Sequence, residues 1–384
     1  MPAEDMHPTY IAMCESKTHA AMLDVLVNRD GIAIEHILTT GTFEQLGAVN
    51  VPVTALPSME ANTPEKAWAL AQETTRSLLS SHRLLQFQDQ GWLAQAVSMA
   101  AQSAGTHRTI LQDGYLSFDI ARSVGARRHT WPISSRMDRI DPATPRPRLR
   151  SRLNRLLYRN HHFGITRPDT MLVFGAAMKT RMIRQWRIDA GRIHVTGPLL
   201  RPKRVPERPN TPQANTALRV LFLDQCFLRY GRMSPTNWGM KYLPLIQSLR
   251  PHDLTVKLHP AQPRDLADDV IEAAGPTAHI MGRELLSDLS GQDFDVAVTV
   301  SSTSFLSCIA AGIPVIFCDC GALDVMPDIA HPSIRNCASP GEVSHLLEAM
   351  ARTRTFQPNA GGDPLEAHIA LAADCTPSTV LKKV

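Results

Sequence analysis

The sequence predicts an α/β protein built as two doubly wound domains, and three observations point there. Its 384 residues exceed what one ordinary core accommodates. Short apolar runs of strand length alternate with helical stretches, the pattern of a parallel sheet with crossover helices. That alternation breaks once, at Leu199–Thr216, which is rich in Pro, Arg, Asn and Thr without periodicity and reads as a linker.

The elements follow in order. Tyr10–Cys14 is a first strand and Thr18–Asn28 a helix; Ile32–Leu38 and Val51–Leu56 are further strands. A long helix from Pro64 towards Ser80 precedes the strand Arg83–Phe87, the helix Trp92–Gln102 and the strand Arg108–Gln112. Thr170–Phe174 and Ile193–Thr196 are the last strands of this half, with a helix between them. Beyond the linker come strand Arg219–Asp224, helix Tyr242–Leu249, strand Leu254–Leu258 and helix Arg264–Ala274. Strands Ala278–Met281, Val296–Val300 and Val315–Cys318 follow, with a final strong helix Gly341–Arg352. The boundaries are therefore 1–198 for the first domain, 199–217 for the linker and 218–384 for the second. The helical periodicity of Asp363–Asp374 is expected to bring the C-terminal tail back onto the first domain. Two such domains are expected to face each other across a cleft, with ligands outside the strand carboxyl ends.

Composition narrows the function. The chain is 43% hydrophobic and 20% charged, as globular proteins are, and its net charge is only +4. With aromatics at 5%, neither a global field nor stacking residues favour nucleic acid. The seven cysteines lie mostly in apolar runs without a Cys-x-x-Cys pair, which reads as buried thiols in a reducing compartment. Met1–Pro8 carries acids and two prolines, so no secretory leader is expected there. The uncharged run Val296–Cys318 has the length of a membrane span. Four consecutive hydroxyl residues and Gly312-Ile313-Pro314 break it into strand, turn, helix, turn and strand. A cytoplasmic protein is the expectation.

Three stretches carry chemistry. In Lys257-Leu258-His259-Pro260, alternation puts Lys257 and His259 on one face of the strand, and Pro260 ends it. His259 would stabilise negative charge on a phosphate; the plainer reading is a strand-end histidine bonded to backbone. The turn Ser301-Ser302-Thr303-Ser304 follows an apolar strand and opens an apolar helix. Hydroxyls and N–H groups at such a place take anions, or simply cap the helix. In Gln112-Asp113-Gly114 an acid ends an apolar strand beside a glycine. It suits a general base, or an ordinary Asp-Gly turn. Asp89 and Asp224 also lie near strand ends, so the base is left open among the three.

Together these stretches resemble the bacterial sialyltransferase and polysialyltransferase families, which have the GT-B fold of two Rossmann-type domains. The resemblance implies an acceptor-side first domain and a nucleotide-sugar-binding second domain. It places the base on Asp113, with Gln112 and Gly114 on the acceptor side. The donor phosphate contact or acid falls on His259 with Lys257 and Pro260, and the phosphate-holding turn on Ser301, Ser302 and Thr303. Those families carry a second acid where this chain has Gln112. The donor implied is a CMP-activated nonulosonic acid, the acceptor a surface glycan or glycolipid, and no cofactor or metal is needed. The segment Pro168–Pro198 is similar to a wider group that includes Kdo transferases and teichoic-acid polyol-phosphate polymerases. A transferase of that group, or a non-catalytic glycan-binding scaffold, is the alternative.

Two further features bear on function. Asp293-Phe294-Asp295 has the spacing of a metal-dependent transferase motif but precedes its strand, at the sheet end away from the cleft, so a solvated strand start is favoured. No zinc spacing, Walker loop, Gly-x-Gly-x-x-Gly or Gly-x-Ser-x-Gly is present in the sequence. In residues 146–159, six arginines interleave with Leu149, Leu153, Leu156 and Leu157 on one helical face. Such a helix usually buries its leucines in its own domain. It would also support peripheral association with an anionic membrane surface.

Overall fold

The computed structural model describes residues 8–41, 44–56, 64–79, 82–89, 92–114, 166–200, 217–228, 233–260, 262–282, 289, 293–322, 329–370 and 375–384. The chain divides into two compact units. One holds the described residues up to Leu200 together with Glu366–Val384; the other holds those from 217 to Leu365. The basic region 146–159 and most of the expected linker lie outside the described residues.

The first unit carries a seven-stranded sheet. Its strands are β1 Tyr10–Cys14, β2 Ile34–Thr39, β3 Val53–Ala55, β4 Arg83–Gln86, β5 Arg108–Leu111, β6 Thr170–Val173 and β7 Ile193–Val195. They run parallel in the order β3-β2-β1-β4-β5-β6-β7. β1, β5 and β6 are buried at every residue. Continuous apolar runs, rather than alternating ones, follow from helices covering both faces. Tyr10, Ala12 and Cys14 pack into one cluster while Ile11 and Met13 pack into another, as the two-residue period of a strand requires.

The C-terminal segment completes this unit. Val380 and Leu381, from the short helix Pro377–Leu381, join the cluster of Tyr10 and Leu26. Tyr10 Oη donates to the Leu381 carbonyl at 2.7 Å, Ser378 Oγ bonds to Asp30, and Ala370 N donates to the Phe174 carbonyl at 2.7 Å.

The second unit repeats the plan. Its strands are β8 Arg219–Leu223, β9 Asp253–Lys257, β10 His279–Met281, β11 Val296–Thr299, β12 Val315–Cys318, β13 Ile329–Ala330, β14 Ile334–Cys337 and β15 Asp363–Pro364. Six form a parallel sheet in the order β10-β9-β8-β11-β12-β14, and β13 pairs with β15 apart from it. In both large sheets the strand order reverses at the first strand, between β1 and β4 and between β8 and β11.

Both sheets tie the starts of two neighbouring strands with the same device. Asp295, just before β11, bonds Arg219 at the start of β8 through its backbone N–H and guanidinium, both at 2.9 Å. Asp169, just before β6, accepts from Arg108 N at 3.0 Å at the start of β5. Asp295 of Asp293-Phe294-Asp295 is thus occupied at the amino end of the sheet. The helix Pro340–Thr353 is capped by Ser339 Oγ, which accepts from Glu342 N, and Glu342 Oε2 reaches back to Ala338 N. Gly312, at φ +74°, turns the chain out of the helix Phe305–Ala310 towards β12. Among the described residues, no helix is long and apolar enough to cross a membrane.

Candidate functional site

In the second unit, the carboxyl ends of three neighbouring strands meet where the strand order reverses. β8 sits in the middle and is followed by Asp224; β9 on one side leads to His259, and β11 on the other leads into Ser301–Ser304. Strands lie ~4.8 Å apart, so the outer two are separated by roughly 10 Å.

Asp224 is only 2% exposed and organises this end. Its Oδ1 accepts from Tyr242 Oη at 2.7 Å, and its Oδ2 accepts from the backbone N–H of His259 at 3.1 Å. Its own N–H donates to the Lys257 carbonyl at 3.0 Å. Burial pushes its carboxyl up from 3.8 to about 6, against those hydrogen bonds and the Lys257 charge. Tyr242 Oη in turn accepts from Gln225 N at 2.8 Å, and its ring stacks on Trp238 with centroids 4.5 Å apart. The acid therefore fixes the backbone from which the His259 side chain departs.

The expected residues are distributed unevenly here. His259 and Pro260 are half-buried at the exit of β9. Lys257 is buried, and its Nζ donates to the Leu258 carbonyl at 3.0 Å. Ser301 and Ser302 are buried, Thr303 and Ser304 partly so. Thr299 Oγ1 donates to the Leu223 carbonyl at 3.2 Å, tying β11 to β8, and accepts from Ser302 N at 3.2 Å. Ser302 Oγ accepts from Ser304 N at 3.3 Å. No side chain caps the helix Phe305–Ala310 at Ser304. The hydroxyls shape the turn itself rather than terminating the helix.

The first unit holds a second cluster at the corresponding sheet end. Glu15 follows β1, Gln88 and Asp89 follow β4, and Asp113 follows β5. Ser16 Oγ accepts from His19 N at 3.1 Å, capping the helix Lys17–Asp24 and placing His19 in its first turn. His19 Nε2 then lies 2.9 Å from Asp113 Oδ2. Gln88 Nε2 donates to Glu15 Oε2 at 3.0 Å, and burial pushes the Glu15 carboxyl up. Asp89 is fully buried and accepts from Thr166 N at 2.8 Å and Thr166 Oγ1 at 2.7 Å. Of the three acids left open as the base, Asp89 and Asp224 are buried and committed to the protein, whereas Asp113 is 28% exposed.

Gln112 differs from its expected acceptor-side place. It is fully buried, its Oε1 accepts from Phe174 N at 2.8 Å, and its Nε2 donates to the Gly114 carbonyl at 2.7 Å. Its amide joins the exit of β5 to the exit of β6 and shapes the Gly114 turn, because Gln112 lies just past the last residue of β5, where the chain leaves the sheet. Sequence reasoning missed His19 and Glu15. The signal available was a Glu-Ser pair at the end of β1, with a capping serine three residues before a histidine.

Among the described residues, no group of three or more His, Cys, Asp or Glu side chains is placed to hold a metal ion. No family profile and no curated protein matches the sequence. Solved structures do match in shape. A glycosyltransferase from Rickettsia africae ESF-5 aligns with a TM-score of 0.52 at 9% identity, covering 91% of this chain and 90% of that one. HepE of Anabaena, in complex with UDP-glucose, aligns with a TM-score of 0.53 at 11% identity, covering 98% and 97%. Two parallel sheets of matching strand order and a likeness that runs through nearly the whole chain make this a GT-B-type fold of two Rossmann-type units.

Proposed function

We propose that this chain is a glycosyltransferase that takes a nucleotide-activated sugar and hands the sugar to a surface glycan or glycolipid. One observation carries the reading. His259 and the Ser301–Thr303 turn leave strands flanking β8 at the reversal of strand order, where open α/β sheets bind ligands. Asp224 anchors the backbone between them. In this reading His259 and the turn take up charge on the departing nucleotide phosphate. Asp113, the one of the three candidate acids that is partly exposed, removes the acceptor proton. A one-step displacement inverts the anomeric centre, with no metal required.

For the donor, the resemblance of the His-Pro, Ser/Thr and Asp-Gly stretches to sialyltransferases favours a CMP-linked nonulosonic acid. A second reading, a UDP-sugar, is favoured by the complex of HepE with UDP-glucose. A thermal-shift series with CMP, CDP, UDP and GDP separates them, followed by hydrolysis of the matching sugar donor. Stabilisation by CMP that His259→Ala and Ser302→Ala both abolish supports the CMP donor; the same pattern with UDP replaces it. If no nucleotide stabilises the protein, transfer is refuted and a glycan-binding scaffold takes its place. A cytoplasmic site and peripheral membrane contact through residues 146–159 belong to the same proposal. Co-sedimentation with anionic liposomes, lost when those arginines are neutralised, tests the contact.

A further inference from the structure

His19 makes two hydrogen bonds that settle its chemistry. The backbone N–H of Glu15 donates to Nδ1 at 3.1 Å. A backbone amide can only donate, so Nδ1 presents its lone pair and the ring proton sits on Nε2. Nε2 is 2.9 Å from Asp113 Oδ2, so that bond runs from imidazole to carboxylate. Protonating Nδ1 as well would set two N–H groups head to head and break the Glu15 bond. The ring is 1% exposed and lies against Phe87, with centroids 4.8 Å apart, so a substrate has no approach to it. Among the described residues, His19 is the hydrogen-bond partner of the Asp113 carboxylate.

Among the described residues, the acid coupled to both members of the pair is Glu15 after β1, which also feels Asp89 after β4. Glu15 is engaged by Gln88 and Asp89 by Thr166. Neither bonds to the imidazole through its carboxylate.

We infer that His19 is a positioning residue for Asp113: an imidazole fixed as the Nε2–H tautomer that occupies Oδ2 and leaves the other oxygen to act as base. This rests on the transferase reading above. In the transfer step the acceptor O–H bond breaks and its proton goes to Asp113 Oδ1. The oxygen lone pair forms the new bond to the anomeric carbon. The electron pair of the broken carbon–oxygen bond leaves with the nucleotide phosphate, and His19 keeps its proton throughout. The geometry also denies His19 the role of base, since Nε2 is already protonated and Nδ1 is taken.

Two measurements on the full chain test this. In protein labelled with 15N-histidine, the His19 ring, assigned by its loss in His19→Gln, is expected as the Nε2–H tautomer at neutral pH. An Nδ1–H tautomer or an imidazolium overturns the inference whatever the enzyme does. The second measurement is nucleotide release from UDP-glucose and from a CMP-nonulosonic acid, with water as acceptor. His19→Ala is expected to lower kcat ~10-fold with little change in KM for the donor, because the base is misplaced while donor contacts persist. His19→Gln, which retains a side-chain N–H donor, is expected to recover part of that loss. The double variant with Asp113→Ala should be no slower than Asp113→Ala alone. Additive losses in the double variant overturn the positioning role, and full turnover in Asp113→Ala overturns it together with the assignment of the base. Failure of CMP, CDP, UDP and GDP alike to stabilise the protein, with the tautomer as expected, removes the transferase reading and with it the catalytic meaning of the pair.

Discussion

Replacing Asp224 by asparagine isolates the cost of keeping a carboxylate at the carboxyl end of β8. Burial raises this acid from 3.8 to about 6, even though Tyr242, His259 N–H and Gln225 N–H favour the ionised form. The native state therefore binds this proton more tightly than the unfolded chain does. Stability contributed by the protonated acid is complete below pH ~4 and is lost as pH rises through about 6. At ~1.4 kcal/mol per tenfold change in proton affinity, the loss amounts to about 3 kcal/mol. Asparagine does not titrate, so the wild-type stability minus that of Asp224→Asn should fall by about 3 kcal/mol between pH 4 and pH 7.5. Urea unfolding read through the 19F resonance of 5-fluorotryptophan at Trp238 measures this in the relevant unit, because Trp238 stacks on the Tyr242 that holds the acid. A flat difference across that range, or one that rises with pH, would refute the reasoning. A charge retained at such a cost points to work done by the ionised form, and the bond it makes to His259 N–H is where that work is visible.

Three other outcomes follow from the packing. Tyr242→Phe removes the partner of both Asp224 Oδ1 and Gln225 N–H, costing about 1–3 kcal/mol in urea unfolding and raising the pH at which Asp224 ionises. Gly175→Ala would put a methyl group inside the backbone of Ala367 and His368. It should loosen the C-terminal segment and speed its cleavage in limited proteolysis, while leaving the second unit as resistant as before. Leu381→Ala empties a fully buried position beside Tyr10 and is expected to cost ~2–5 kcal/mol, read as a lower melting temperature of the first unit.

Much of the architecture was legible in the sequence because parallel strands buried on both faces are written as unbroken apolar runs. β1 and β12 fall where those runs lie, and most other strands differ by a residue or two. β14, Ile334-Arg335-Asn336-Cys337, escaped notice: it is an edge strand with a polar middle, and its pairing with β12 supplies what its composition does not. The helix expected to run to Asn28 ends at Asp24 and continues as a wider turn through Val25–Arg29, a change of hydrogen-bond register that periodicity cannot register.

At the two sheet ends, the legible residues were those announced by a strand followed by a turn, as with His259 and Asp113. Their partners were hidden because the contacts are remote in sequence. His19 and Asp113 are 94 residues apart, and Tyr242 reads as one more core aromatic until its hydroxyl is seen against Asp224. Gln112 shows the opposite failure: its neighbour Asp113 made it look functional, while its amide serves the two strands beside it.

The seating of Glu366–Val384 in the first unit has a practical consequence for anyone cutting the gene. A fragment ending near residue 200 would expose the groove against Tyr10 and Leu26 that Val380 and Leu381 fill, and should be sticky and poorly soluble. Adding back residues 366–384 as a separate peptide ought to restore it. During synthesis the half made first must wait, its core unsealed, until residues 366–384 have emerged.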